Sequence, residues 1–246
     1  MSKLFDLDSP LIRWLNKVAD LMWLNMLTLF CCIPIITAGA ALTSAHYVAL
    51  KMLRNEEGYV TREFFKAFKT NFKQSTLIWL LILLVVAVLG ADYYIIKYTK
   101  IDFPQVFQVI IMAAGILFLF MVLWVFPVQA KFINTLPKTI KNAFALSIIQ
   151  MPRTLLMIIV YVLPYVLLFL SLRIFPLVFV FGISVPVYVS AVLYNKMFKK
   201  LEGKIRERLE EENEGKEDSE PADGETDEDS GKIFSDKPML GEEKQP

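Results

Sequence analysis

The side chains best suited to acid–base, nucleophilic or metal chemistry are too few and too scattered in this sequence to perform it. His46 is the only histidine and has no carboxylate beside it. A general base or a metal ligand needs convergent partners, so His46 reads as a residue at the boundary of an apolar segment. Cys31 and Cys32 are adjacent rather than in C-x-x-C spacing, and within an apolar run a thiol packs as a small hydrophobe. Asp20 and Asp92 fall near the ends of apolar runs, and Arg173 falls in a short link between two of them. No Ser/His/Asp set, carboxylate pair or phosphate-binding glycine loop can be assembled. The expectation is no catalytic, cofactor-binding or metal-ligating residue, no cofactor and no enzyme activity.

A different pattern does carry chemistry. At ~100° per residue, Phe64, Phe65, Phe68 and Phe72 gather on one side of a helix, and Arg62, Lys66, Lys69 and Lys73 on an adjacent side. Such a helix anchors at a membrane surface, lysines toward anionic headgroups and rings toward the acyl boundary, or it docks an acidic partner. Phe64, Phe68 and Phe72, with Lys66, Lys69 and Lys73, are the candidate docking residues. Gly58, within Asn55-Glu56-Glu57-Gly58, is the breaker before it. A second polar segment, residues 131–153, places Ile140, Ala143, Phe144 and Ile148 at helical spacing, with Pro137 suited to its first turn and Pro152 to its end. It does not carry the coupling-loop pattern of ATPase-driven permeases. Asn142-Ala143-Phe144 lacks the glutamate of the Glu-Ala-Ala motif, and residues 131–153 hold no glycine.

Five long apolar runs position these segments: residues 21–41, 75–96, 106–130, 154–172 and 175–194. Each is near or above the ~20 residues that a helix needs to cross a bilayer. The chain is 55% hydrophobic, above the ~45 to 50% of ordinary globular proteins, and its mean hydropathy is +0.48. The predicted fold is all-α: a polytopic transmembrane bundle of about five spans, with short cytoplasmic amphipathic helices and a disordered acidic tail.

The net charge of +1 hides two unlike pieces. Residues 1–208, the expected membrane domain, hold 22 Lys+Arg against 10 Asp+Glu, and residues 209–246, the expected tail, hold 4 against 15. The basic residues cluster at 51–73, 131–153 and 196–208, segments that five crossings put on one face. That face is cytoplasmic by the positive-inside rule, with the N-terminus outside and the C-terminus in the cytoplasm. The acidic tail would be repelled by phosphate, so no nucleic-acid partner is expected. Near its end, Ile233, Phe234, Met239 and Leu240 are large apolar groups.

The first run is the weakest span. Asn25 and Pro34 interrupt it, and Thr37, Ala38, Gly39, Ala40 and Ala41 make its end small; Pro34, Thr37 and Gly39 are read as shaping it. Ala38-Gly39-Ala40 imitates a signal-peptidase site, but Asp6, Asp8 and Asp20 do not make a basic leader. Ser9 and Pro10 suit a helix start. Uncharged polar residues such as Gln108, Tyr161, Ser184 and Ser190, with Pro164 and Pro186, suit a polar path as well as ordinary packing.

Asn25, the stretch Ile33-Pro34-Ile35-Ile36-Thr37-Ala38-Gly39-Ala40, Tyr47-Val48, Glu57-Gly58-Tyr59 and the Phe/Lys-rich residues 64–74 resemble the YesL family of bacterial membrane proteins, a domain of unknown function. The similarity extends over about the first two hundred residues, and residues 34–74 carry its distinctive part. The resemblance implies a small multi-span cell-membrane protein, encoded in such bacteria near carbohydrate uptake systems, and brings no catalytic residues. The expected function is an integral accessory protein that assembles or regulates a carbohydrate uptake complex, with the lipid bilayer and that complex as partners. A self-sufficient small-solute transporter or channel is the alternative.

Overall fold

A backbone surrounded by hydrocarbon must satisfy its own polar groups, and the apolar runs do so as helices. The computed structural model describes residues 10–56, 58–98 and 104–217. The Ser9 cap, Glu57, Lys100 and the acidic segment beyond Glu217 lie outside the described residues. Among the described residues eight helices follow in order: α1 Pro10–Cys32, α2 Ala38–Arg54, α3 Val60–Tyr98, α4 Gln105–Lys131, α5 Leu136–Ile149, α6 Met151–Leu170, α7 Phe175–Phe181 and α8 Ser184–Glu217. Short 3-10 turns occupy Ile35–Thr37 and Leu172–Ile174, and the described residues contain no strand. Pro137 lies in the first turn of α5 as expected, whereas Pro152 opens α6 rather than closing α5.

Three helices, α3, α4 and α6, are long and apolar enough to cross a membrane. The pair Leu172–Phe181 and Ser184–Arg208, bent by 59°, is long and apolar enough only when taken together, as a broken span or a re-entrant loop. The run at 175–194 is therefore interrupted rather than one straight helix. The run at 21–41 is not one helix, so the candidate crossings among the described residues number three or four rather than five. Its first part ends α1 at Cys32. Pro34 is extended (φ −75°, ψ 114°) and heads the 3-10 turn, and the Thr37 hydroxyl donates to the Cys31 carbonyl at 2.6 Å. The chain then reverses into α2. The amphipathic stretch and the second apolar run are one unbroken helix, α3, of 39 residues, about 58 Å long at ~1.5 Å per residue.

Helix α2 is the centre of the packing. Thirteen of its 17 residues are buried, and α1, α3, α4 and α8 all pack against it. Its small residues make this possible. A Cβ added at Gly39 would lie 2.5 Å from both the Ser75 carbonyl oxygen and the Trp79 Cβ of α3. One turn on, the Thr43 and Ser75 hydroxyls bond at 2.9 Å. At the other end of α2, Asn55 takes the left-handed conformation that ends helices (φ 55°). There the Lys17 ammonium of α1 donates to the Asn55 side chain at 2.9 Å, and Arg54 grips Glu202 of α8 at 2.8 and 3.0 Å.

These contacts put the first turns of α1 and the later turns of α8 at the same end of the bundle. The expected placement of the two chain ends on opposite faces does not follow from this arrangement. α1 and α2 form a hairpin, whose turn lies level with Trp79 of α3, where the Trp79 indole donates to the Ile35 carbonyl at 2.7 Å. The hairpin also repairs the interrupted run at 175–194. Asn25 of α1 accepts from the Ile183 and Ser184 amides at 2.9 and 3.0 Å, and donates to the Phe179 carbonyl at 2.8 Å. Backbone groups freed by the bend between α7 and α8 thus find partners inside the protein.

Burial is one-sided along the bundle. In α4 the buried residues run from Phe120 onward, and in α6 they are Thr154 and Met157. In α3 they stop at Ile82. Beyond these points Leu84, Val86, Val88, Val106, Val109, Ile110, Met112, Ile159 and Leu163 are exposed, an apolar surface too extensive for water. Two substitutions separate the tight end from the open one. Gly39→Ala should lower the melting temperature in detergent, with an overpacking cost of about 1–3 kcal/mol. Gly90→Ala, where nothing lies within 4 Å of the new Cβ, should leave it unchanged or raise it slightly. Equal effects at both would refute the close α2–α3 contact.

Candidate docking surface at the basic end

The first four turns of α3 extend from the packed end, and their faces are sharply divided. Phe64 is fully buried, in the core with Met52, Val60 and Ala67. Phe68 is half-buried against it, while Phe65 and Phe72 are 39% and 36% exposed. Ring contacts join the four, with centroids 6.2 Å apart for Phe64 and Phe68 and 5.4 Å for Phe68 and Phe72. Of the expected docking phenylalanines, Phe64 is thus a core residue with no free surface, and Phe65 presents the ring that the surface offers. Lys66, Lys69 and Lys73 are all exposed, as is Arg62. Tyr59, Thr61, Arg62, Phe65, Lys66 and Lys69 line a shallow hollow, at whose edge the Trp23 indole of α1 donates to Thr61 at 2.8 Å.

The one acid in this stretch is already engaged. Glu63 accepts from Lys51 of α2 at 2.9 Å. Burial disfavours the Lys51 ammonium, but the Glu63 carboxylate and the Tyr47 hydroxyl outweigh it and hold the pKa above the ordinary lysine value. Arg62, Lys66, Lys69 and Lys73 form no ion pair with any described residue. Among the described residues the face is therefore an uncompensated strip of four cations beside exposed rings.

Deeper in the same end, charges serve the fold. The Arg54 side chain is only 6% exposed, and its guanidinium holds Glu202 bidentately while Nε donates to Asn195 at 2.9 Å. Lys131, at the end of α4, approaches the same carboxylate at 3.5 Å. One carboxylate thereby joins three helices. Between α3, α4 and α5, Gln129 donates to Asn71 and accepts from Thr139, and Gln74 donates to the Asn134 carbonyl at 2.7 Å. Both polar side-chain atoms of Asn134 are buried without a partner among the described residues.

Sequence reasoning missed one further group. His46 is buried, not a boundary residue: its Nδ1 lies 3.1 Å from the Tyr194 hydroxyl and its Nε2 3.1 Å from that of Tyr161, which in turn meets Ser190 at 3.3 Å. A neutral imidazole donates at one nitrogen and accepts at the other, so the two phenols take opposite roles. The chain ties α2, α6 and α8 together. Its partners stand 115 and 148 residues from His46, so spacing alone does not reveal them. Pro34, Thr37 and Gly39 fall at the hairpin turn and at the α2–α3 contact, Gly39 against Ser75 just beyond the last lysine of the strip.

The segment that builds both the hairpin and the strip is similar to a known family. Residues 21–93 match a family model described as Protein of unknown function, DUF624. No curated protein and no solved structure matches the chain. The DUF624 match begins within α1 and ends near the close of α3, so it contains every candidate residue named above on α2 and α3.

The division of the phenylalanines is measurable. Phe64→Ala should destabilise the detergent-solubilised protein by about 3–5 kcal/mol, the usual cost of an emptied aromatic site, and Phe65→Ala by under about 0.5 kcal/mol, as for surface changes. A melt in which the two variants shift alike would contradict the burial pattern.

Proposed function

We propose that this protein is an integral membrane accessory protein that assembles or regulates a transport complex through the basic, aromatic face of α3, and that carbohydrate uptake is its setting. The observation that carries the reading is the continuity of α3. A partner held at Arg62, Lys66, Lys69 and Phe65 sits on the same rigid helix that continues as a membrane crossing. Exposed, unpaired cations beside rings suit the acidic, partly apolar surface of a cytoplasmic subunit, and anionic headgroups nearby reinforce them. The DUF624 match lends the site no activity. The carbohydrate setting rests on the YesL resemblance of residues 34–74.

The sidedness belongs to the same proposal. With α1 and α2 as a hairpin, Arg13 and Lys17 join the basic end, and that end faces the cytoplasm of the cell membrane by the positive-inside rule. Both ends of the described chain then lie in the cytoplasm. Labelling of single cysteines at Arg13 and Arg208 in oriented membrane vesicles should find both on the cytoplasmic side. Opposite reactivity would reject the hairpin topology.

A transporter reading draws on the interrupted run at 175–194 and the buried polar chain around His46, features also found where solutes pass. The two readings separate experimentally. Crosslinking in native membranes, with partners identified by mass spectrometry, should retrieve transport-complex subunits with wild-type protein and severalfold less with the Lys66→Glu/Lys69→Glu double variant. Identical retrieval by both would defeat the docking role. Saturable flux of a sugar into liposomes holding only this protein would favour transport instead.

A further inference from the structure

We infer that the basic face of α3 has an occupant within the chain itself: the acidic segment 218–246 that continues from α8. The inference uses the surface of the proposed function but does not depend on any external partner.

Three facts converge on it. The first is place. The last turn and a half of α2 is tied to α3 by Lys51 and Glu63 and to α8 by Arg54 and Glu202, so the strip and the helix that leads into the tail share one end of the bundle. The second is reach. α8 is helical to Glu217, and the 29 residues that follow span up to ~95 Å when extended. α2 packs against both α3 and α8, a separation of two interhelical spacings of ~8–10 Å each. The third is complementarity. Residues 218–246 hold 10 Asp+Glu against 3 Lys+Arg, facing four cations that lack any acidic partner among the described residues. The densest acids, at 223–229, are followed by Ile233 and Phe234, then Met239 and Leu240. The hollow offers the same two chemistries, Arg62, Lys66 and Lys69 beside Tyr59 and Phe65.

Another basic stretch competes for the tail: Lys199, Lys200, Lys204, Arg206 and Arg208 of α8 itself. It has no exposed ring next to its cations, and Glu207 lies among them. The α3 strip matches both the charge and the apolar groups of the tail. A tethered segment acts at an effective concentration of about millimolar, so headgroups or a partner must displace it. The tail would thus act as a salt-sensitive competitor for the docking face.

The test uses full-length protein, one copy per zwitterionic-lipid nanodisc, with Cys31 and Cys32 replaced by serine and dyes on Thr70→Cys and Ser230→Cys. Energy transfer should be high in ~50 mM salt and fall severalfold at ~1 M, where the screening length shrinks to about 3 Å. Lys66→Glu/Lys69→Glu should abolish it at low salt, and Lys199→Glu/Lys200→Glu should preserve it. Transfer indifferent to salt and to the α3 reversal overturns the inference. So does transfer lost only on reversing α8, or transfer seen only in discs holding two copies. Salt acts on the unmodified charges, so the result stands even if a reversal variant folds poorly. A missing external partner would leave this measurement unaffected.

Discussion

How closely other helices can approach α2 governs the rest of the structure. Within lipid, apolar burial gives helices little reason to associate, because hydrocarbon solvates them as well as another side chain does. Association then depends on van der Waals contact and on hydrogen bonds made inside the protein. α2 supplies both. Ala38, Gly39, Ala40, Ala41 and Ala45 let backbones touch, and Thr43 and His46 bond outward to α3, α6 and α8. A larger residue at Gly39 would part α2 from α3, and with them the platform on which the basic strip stands.

From that centre the molecule divides along its length. Toward the far end, α3, α4 and α6 present apolar side chains outward and share little buried surface. At the basic end they converge with α2, α5 and α8 around Trp124, Phe132, Tyr194 and Phe198. Trp124 donates to Thr154 at 2.9 Å, and Tyr194 stacks obliquely on Phe198 with centroids 4.7 Å apart. The end that is best packed is also the end that carries the charged surface. A docking face there rests on a fixed foundation, whereas one at the far end would rest on helices held chiefly by lipid.

Hydropathy made the three uninterrupted crossings legible, because a run such as 106–130 has one physical solution, a lipid-spanning helix. It did not distinguish an apolar residue facing lipid from a small one facing protein. Residues 21–41 therefore read as one span, although Pro34 and Thr37 turn the chain and the alanines beyond them serve burial. The junction at Asn71, Lys73 and Gln74 looked like a boundary by polarity alone. No glycine or proline separates residues 60–89, so the helix runs through. The phenylalanine pattern gave the correct stripe, but which ring is buried depends on α2, of which only the first four residues fall within the expected span at 21–41. The His46 network was illegible for a similar reason: its phenols come from α6 and α8, and only the tertiary arrangement brings them together.

The charges at the basic end fall into two classes, and the distinction bears on function. Lys51, Arg54 and Lys131 are partly or largely enclosed, and each faces a carboxylate within 3.5 Å. Removing Glu63 or Glu202 would strand cations that hold helices together, which makes these pairs structural. Arg62, Lys66, Lys69 and Lys73 form no ion pair among the described residues. Four exposed like charges on successive turns repel one another along α3, a small standing cost that the fold itself does not recover. An anionic surface brought against them would relieve it, and the unbroken helix beneath would carry that contact to the membrane crossing.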